Sequence, residues 1–107
     1  EKINNYVAPQ SGVNTDSKIP GKTSLFQNYP NPFNSETTFS FSIANKAEVS
    51  LCIYDLQGRK IANVVNNTLP AGQHTINWNA DNLSSGLYFY ILQNDLKYKS
   101  RSMLLLK

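Results

Sequence analysis

Residues 83–107, LSSGLYFYILQNDLKYKSRSMLLLK, decide the fold of this chain. The six consecutive apolar or aromatic residues at 87–92 are typical of a strand that is covered on both faces. Asn94 and Asp95 suit the positive-φ positions of a two-residue turn, so a second strand is expected to return antiparallel to the first. This hairpin finishes on the apolar run 103–106. We expect that run to dock in the core, to be held ready for a partner, or to do both.

Upstream of the hairpin, apolar and polar residues alternate with a period of two. The predicted strands are a short segment near residue 25 and the stretches 36–43, 47–54, 59–65 and 72–78. Asp55 and Gly58 suit a type I turn followed by a left-handed residue. No stretch has the 3.6-residue apolar period of an amphipathic helix. The pattern therefore predicts an all-β, immunoglobulin-like β-sandwich of about seven antiparallel strands.

The first part of the chain differs from the rest in composition. Residues 1–23 are rich in Asn, Ser, Gly, Pro and Lys without periodicity, so they are expected to form a linker or the tail of a preceding domain that proteases can cut. The ordered domain is predicted over 24–107. Because the sequence begins at Glu1, we expect further residues upstream. Two prolines make the segment 29–34, YPNPFN, a rigid connection that could clamp the edge of a sheet.

The net charge of +3 is concentrated in the hairpin. Six basic and six acidic residues cancel up to position 94, and the surplus comes from Lys97, Lys99, Arg101 and Lys107 against Asp95. A charged edge strand protects a sheet against aggregation, and the same charges could bind a partner. Nucleic-acid binding is not expected, because the basic field is small and has no known motif. No apolar run is long enough to insert in a membrane.

Converging reactive groups are scarce. The single histidine, His74, shares a strand face with Ile76 and Trp78, which indicates a hydrogen-bonded residue at the core margin rather than a base. Trp78 could fill the core or offer a surface for stacking sugars. The single cysteine excludes an internal disulfide, and the serines at 84–85 lack a nucleophile-elbow pattern. We expect no catalytic residue, no cofactor and no metal site.

Five motifs occur in a fixed order along the chain. They are YPNPFN at 29–34, VSLCIYDLQGR at 49–59, LPAGQH at 69–74 with the following Trp78, LSSGLYFY at 83–90 and MLLLK at 103–107. Together they resemble the type A C-terminal sorting domain of the type IX secretion system of Gram-negative bacteria, over residues 24–107. Members of that family are appended to large secreted or surface proteins, often hydrolases, proteases or adhesins.

The resemblance implies a non-catalytic secretion signal. Such a domain directs an attached cargo protein through the periplasm and across the outer membrane, and a sortase then removes it. The cut would fall within 1–23, and the cargo would be released or held at the cell surface. The implied partners are translocon or shuttle components, the sortase and the covalently attached cargo, with no nucleic acid and no membrane insertion.

The resemblance also assigns residues by position. Asp55, Gly58 and Arg59 match the central turn of the family. The implied partner-binding residues lie in the glycine-aromatic strand and the basic closing strand: Gly86, Tyr88, Tyr90, Lys97, Lys99, Arg101 and Lys107. The alternative function is a carbohydrate-binding or adhesion module, for which Trp78 or Tyr98 should be exposed. A spacer without a partner is a third alternative.

Overall fold

A computed structural model describes residues 23–95 and 97–107. Within these residues the chain forms seven strands and no helix. The strands are β1 (Ser24–Leu25), β2 (Glu36–Ile43), β3 (Ala47–Tyr54), β4 (Lys60–Leu69), β5 (Gly72–Asn79), β6 (Gly86–Asn94) and β7 (Lys97–Leu105). The described residues therefore contain no helix that is long and apolar enough to cross a membrane.

The strands form two sheets with antiparallel pairing throughout. One sheet has the order β1-β2-β5, and the other has the order β4-β3-β6-β7. Constant-type immunoglobulin sandwiches likewise place the first, second and fifth strands opposite the third, sixth and seventh, but their fourth strand pairs with the fifth, whereas here β4 pairs with β3. The predicted all-β sandwich of about seven strands is confirmed.

The core lies between the sheets and consists of side chains at alternate positions of each strand. Phe39 and Phe41 of β2 are fully buried, as are Leu51 and Ile53 of β3. The ring of Phe39 contacts the ring of Tyr90 across the interface, with centroids 4.8 Å apart. Each large apolar side chain buried in this way contributes about 1.5–3 kcal/mol to folding.

Some predicted boundaries differ from the structure, including one-residue shifts at the start of β4 (Lys60 instead of 59) and at the end of β5 (Asn79 instead of 78). The strand predicted over 59–65 continues to Leu69, because β4 is an edge strand whose polar residues keep their backbone pairing with β3 while facing water. The hairpin turn lies one residue later than predicted. Asn94 pairs with Lys97, and Asp95 has the positive φ of 57°. Asn94 belongs to the strand because its side chain is buried and donates to Thr23 Oγ1, 3.2 Å away.

The predicted linker over 1–23 lies, apart from Thr23, outside the described residues.

Candidate functional site

The terminal hairpin, β6 and β7, is paired along its whole length. Its register runs from Gly86 opposite Leu105 to Asn94 opposite Lys97. β6 lies between β3 and β7, whereas β7 is an outer strand of its sheet. The two halves of the hairpin therefore have different environments: one is central and the other has an edge of its own.

The aromatic residues of β6 are anchors of the core. Tyr90 is fully buried; its hydroxyl donates to the Phe26 carbonyl oxygen (2.7 Å) and accepts from the Asn28 N–H (2.8 Å). Burial raises the pKa of Tyr90 to about 12. Tyr88 is also buried, and its hydroxyl donates to the Ser84 carbonyl oxygen at 2.7 Å. Both side chains therefore hold the sandwich together and are not on the surface of the folded domain.

Gly86, the third residue expected in the glycine-aromatic strand, begins β6. Its φ is 155°, a conformation that glycine adopts at little cost, and an added Cβ would meet no atom within 4 Å. The reason for a glycine here is therefore the backbone angle and not a close approach by a neighbour.

Lys97, Lys99 and Arg101 lie on one face of β7 and form what we call the basic stripe. All three are exposed, because β1, the strand of the opposite sheet nearest to β7, has only two residues. Arg101 Nε donates to the Leu25 carbonyl oxygen at 2.7 Å. Within residues 23–95 and 97–107, no salt bridge pairs Lys97 or Lys99 with a carboxylate. The stripe therefore presents two free ammonium groups and an oriented guanidinium.

The end of β7 is docked in the core. Met103 and Leu105, on the same face as the basic stripe, are buried. Phe33 donates its N–H to the Leu104 carbonyl oxygen (3.0 Å) and accepts from the Leu106 N–H (2.8 Å). The segment 29–34 thus clamps the sheet edge as predicted, and Asn31 Oδ1 adds a bond from the Leu104 N–H at 2.9 Å. The side chain of Leu106 remains 52% exposed.

Lys107 lies apart from the basic stripe. Its N–H donates to Ser85 Oγ at 2.8 Å, and its Nζ donates to the Asp81 carbonyl oxygen at 2.6 Å. It lies six positions after Arg101 in the sequence, which corresponds to about 20 Å of extended chain. The seven residues expected to bind a partner are therefore not one surface, since two are buried and Lys107 is at the opposite end of β7.

The central turn is held by one carboxylate. Asp55 accepts hydrogen bonds from the backbone N–H groups of Gln57 and Arg59 (2.9 Å each) and from Arg59 Nε (2.8 Å). The bond from the Arg59 backbone is the main cause that lowers the pKa of Asp55. Gly58 has a φ of 83°, as the predicted turn requires. This motif joins β3 to β4 and has a structural role.

His74 lies at the core margin, as expected, and Trp78 lies there as well instead of being fully buried in the core. Trp78 is half-buried and packs against Phe33 and Phe39, with ring centroids 6.4 Å and 6.0 Å away. His74 Nε2 lies 2.9 Å from the Pro70 carbonyl oxygen, to which a ring N–H would donate. In the described part of the chain, no three His, Cys, Asp or Glu residues are grouped so that they could hold a metal ion.

Sequence reasoning missed one feature of this region, a groove of about 480 Å³ beside β7. Its walls are Ser24, Leu25 and Phe26 on one side and residues 98–101 on the other. Tyr98, at its rim, is 66% exposed. The groove exists because β1 ends after two residues, and the sequence offered only a weak signal for so short a strand.

Comparison with protein families places these features in a known context. The family model of the secretion system C-terminal sorting domain matches residues 27–106, which include β2–β7 and the clamp formed by Phe33. A comparison with curated proteins found no match. The matched region is about three-quarters of the chain and contains the whole terminal hairpin. The chain therefore belongs to the secretion system C-terminal sorting domain family, the sorting domains of type IX secretion.

Proposed function

We propose that this domain directs an attached cargo protein across the outer membrane through the type IX secretion system and is then removed by a sortase that cuts within residues 1–23. The observation that carries the proposal is the family match over residues 27–106, which includes both strands of the terminal hairpin. The cargo would pass through the periplasm to the outer-membrane surface or the extracellular space of a Gram-negative bacterium. In this role the domain is a substrate of the sortase and performs no chemistry itself.

Recognition would use the exposed part of the terminal hairpin. The basic stripe and Lys107 would orient the domain on a translocon or shuttle component, because exposed charges mainly change association rates and specificity. Leu106 would add an exposed apolar contact. Gly86, Tyr88 and Tyr90 would act indirectly, by holding β6 in the position that β7 requires.

The test is export of a reporter fused upstream of residues 1–107, in a bacterium that has a type IX system. Deleting 103–107 should leave the reporter in the periplasm, and normal export of this truncation would refute the proposal. The deletion also removes two buried side chains and so destabilises the fold, by about 2–5 kcal/mol for each. A second variant, Lys97→Glu with Lys99→Glu, changes only exposed charges and should slow export. Lys60→Glu, on the opposite edge of the same sheet, is the matched control and should not.

A second candidate, a carbohydrate-binding module, is favoured by one observation. The exposed Tyr98 also borders a groove of about 310 Å³ on the outer face of the larger sheet, together with Tyr54 and the amide side chains of Asn63, Asn66 and Gln93. Aromatic rings beside amides suit sugar stacking and hydrogen bonding. Trp78 is a weaker platform because it packs on the core. Retention of the wild-type domain, but not of Tyr98→Ala, on insoluble polysaccharide would support this candidate.

A further inference from the structure

β7 has a free edge along its N-terminal half. The backbone groups of Leu104 and Leu106 that bond to Phe33 point away from β6, and so do those of the other even-numbered residues of β7. Toward the C-terminus this edge is covered by Phe33, by Asn31 and by Gln27, whose Nε2 donates to the Ser102 carbonyl oxygen at 2.8 Å. Among the described residues, nothing pairs with the outward N–H and C=O of Tyr98 and Ser100.

The groove beside β7 gives an incoming strand room on this edge. Its walls, Ser24–Phe26 and residues 98–101, enclose about 480 Å³. Four residues of strand extend about 13 Å, which is the length of edge left open. An extended segment placed there would pair with the free N–H and C=O groups of β7 and form a fifth strand of the larger sheet.

The positive charge along the groove favours an incoming strand with acidic side chains. Lys99 and Arg101 line it, and Lys97 continues the stripe toward the turn at alternate positions about 6.5–7 Å apart. A strand that pairs with β7 has the same two-residue spacing, so its carboxylates on one face would meet these cations in register. The acidic residue of the hairpin is Asp95, at the turn, and in the described part of the chain no salt bridge joins it to the stripe.

We propose that the free edge of β7 at Tyr98–Arg101 binds an extended acidic segment of a secretion partner by strand addition. This inference rests on the proposed function and specifies how the hairpin is recognised. Backbone pairing would give affinity, and the basic stripe would give register and selectivity. The competing explanation is that the lysines only keep the edge from pairing with other copies of the chain.

The first test separates strand addition from other contacts. In Ser100→Pro the ring removes an outward N–H and blocks the edge, but it breaks no bond to β6 because the Ser100 N–H points away from that strand. Ser100→Thr keeps the N–H and is the matched control. We expect export of the reporter fusion to fall at least about tenfold for Ser100→Pro and to stay normal for Ser100→Thr. Thermal unfolding of both purified variants checks that each remains folded.

The second test uses purified residues 1–107 and a fluorescent seven-residue peptide of alternating Glu and Val. Anisotropy should show saturable binding that is weakened at least about tenfold by Lys97→Glu with Lys99→Glu and left unchanged by Lys60→Glu. Replacing Glu by Lys in the peptide, or methylating its backbone nitrogens, should abolish binding. This test also decides the inference if Ser100→Pro fails to fold.

The outcomes distinguish the two proposals. Retention of the wild-type reporter in the periplasm would contradict the proposed function. Normal export of a folded Ser100→Pro variant would overturn strand addition and leave the secretion function standing. Absence of peptide binding, together with self-association of a charge-neutralised variant, Lys97→Gln with Lys99→Gln, would overturn it in favour of edge protection.

Discussion

Replacing Tyr90 by Phe tests whether the hydroxyl in the centre of the sandwich holds residues 26–28, which lead from β1 into the clamp, to the terminal hairpin. The change removes one oxygen atom and leaves the ring on Phe39, so it creates almost no cavity. It breaks two hydrogen bonds to the segment that follows β1, one to the Phe26 carbonyl oxygen and one from the Asn28 N–H.

The magnitude follows from the burial of the two partners. Asn28 is 2% exposed, so its N–H would be left unpaired away from water, at a cost of about 1–3 kcal/mol. Phe26 is half-buried, so water can replace part of the hydrogen bond that its carbonyl oxygen loses. The remaining loss adds about 1 kcal/mol to the cost. We therefore expect Tyr90→Phe to lower the free energy of unfolding by about 2–4 kcal/mol.

Urea unfolding at pH 7 measures this loss. With an m-value of about 2 kcal/mol/M, the midpoint should fall by about 1–2 M while the m-value stays constant. Tyr88→Phe is the matched control, because its hydroxyl bonds to the carbonyl of the exposed Ser84 and water can replace it; its loss should stay below about 1 kcal/mol. Equal midpoints for Tyr90→Phe and wild type would refute the reasoning.

The sign of the pKa shift gives a second check on the same residue. The pKa of Tyr90 is raised from 10.0 to about 12, so the neutral, buried hydroxyl contributes stability that is fully present below pH 10. That contribution is lost as the pH rises through about 12. Absorbance at 295 nm should contain a titration step of the folded domain near this pH that is missing from Tyr90→Phe.

Two further predictions concern the tail and the central turn. Leu105→Ala should destabilise the domain by about 2–5 kcal/mol in urea unfolding, because its side chain is buried. Leu106→Ala truncates a side chain that is 52% exposed and should change stability by less than about 0.5 kcal/mol. Similar losses for both variants would mean that the tail is not docked. Asp55→Asn should lower Tm at pH 7, because the pKa of Asp55 is lowered in the folded state and its carboxylate is therefore stabilising above pH 3.8. That stabilisation is lost as the pH falls through the pKa of the folded state. Calorimetry should therefore show the difference from wild type shrinking below pH 3.8, and a difference that stays constant to pH 2 would contradict this role.

The sequence predicted most of the fold because local patterns and tertiary packing agree in this chain. The alternation of Phe39 and Phe41 with polar residues predicted both the extent and the inward face of β2. The turn between β3 and β4 followed from Asp55 and Gly58, whose side-chain bonds and backbone angle are local properties. The hairpin turn was placed one residue early because Asn94 suits a positive φ in isolation. Its buried side chain and its contact with Thr23, 71 residues away, are not visible in the sequence.

The site was less predictable, because exposure depends on what the opposite sheet covers. Alternation places Tyr90 and Arg101 opposite each other on one face of the hairpin. Tyr90 is fully buried because β2 covers β6, whereas Arg101 is exposed because the two-residue β1 leaves most of β7 uncovered. No pattern within 83–107 contains this information. Sequence reasoning therefore found the residues of the hairpin and did not separate those that hold the fold from those that a partner could reach.

Because the rest of the domain packs on only one end of β7, the two ends of this strand differ along the same face. At its C-terminal end Met103 and Leu105 are buried, and the clamp bonds both the N–H and the carbonyl oxygen of Leu104 and so occupies the backbone edge there. At its N-terminal end the same face carries the basic stripe, and the edge beside it is open. Docking of the C-terminal end fixes the register of the N-terminal end, because both belong to one continuous strand that pairs with β6 without a bulge. Under the proposed strand addition, a variant that loosens the docked end should therefore weaken binding at the open end even though it alters no exposed residue. Charge reversal of Lys97 and Lys99 should instead weaken binding without loss of stability.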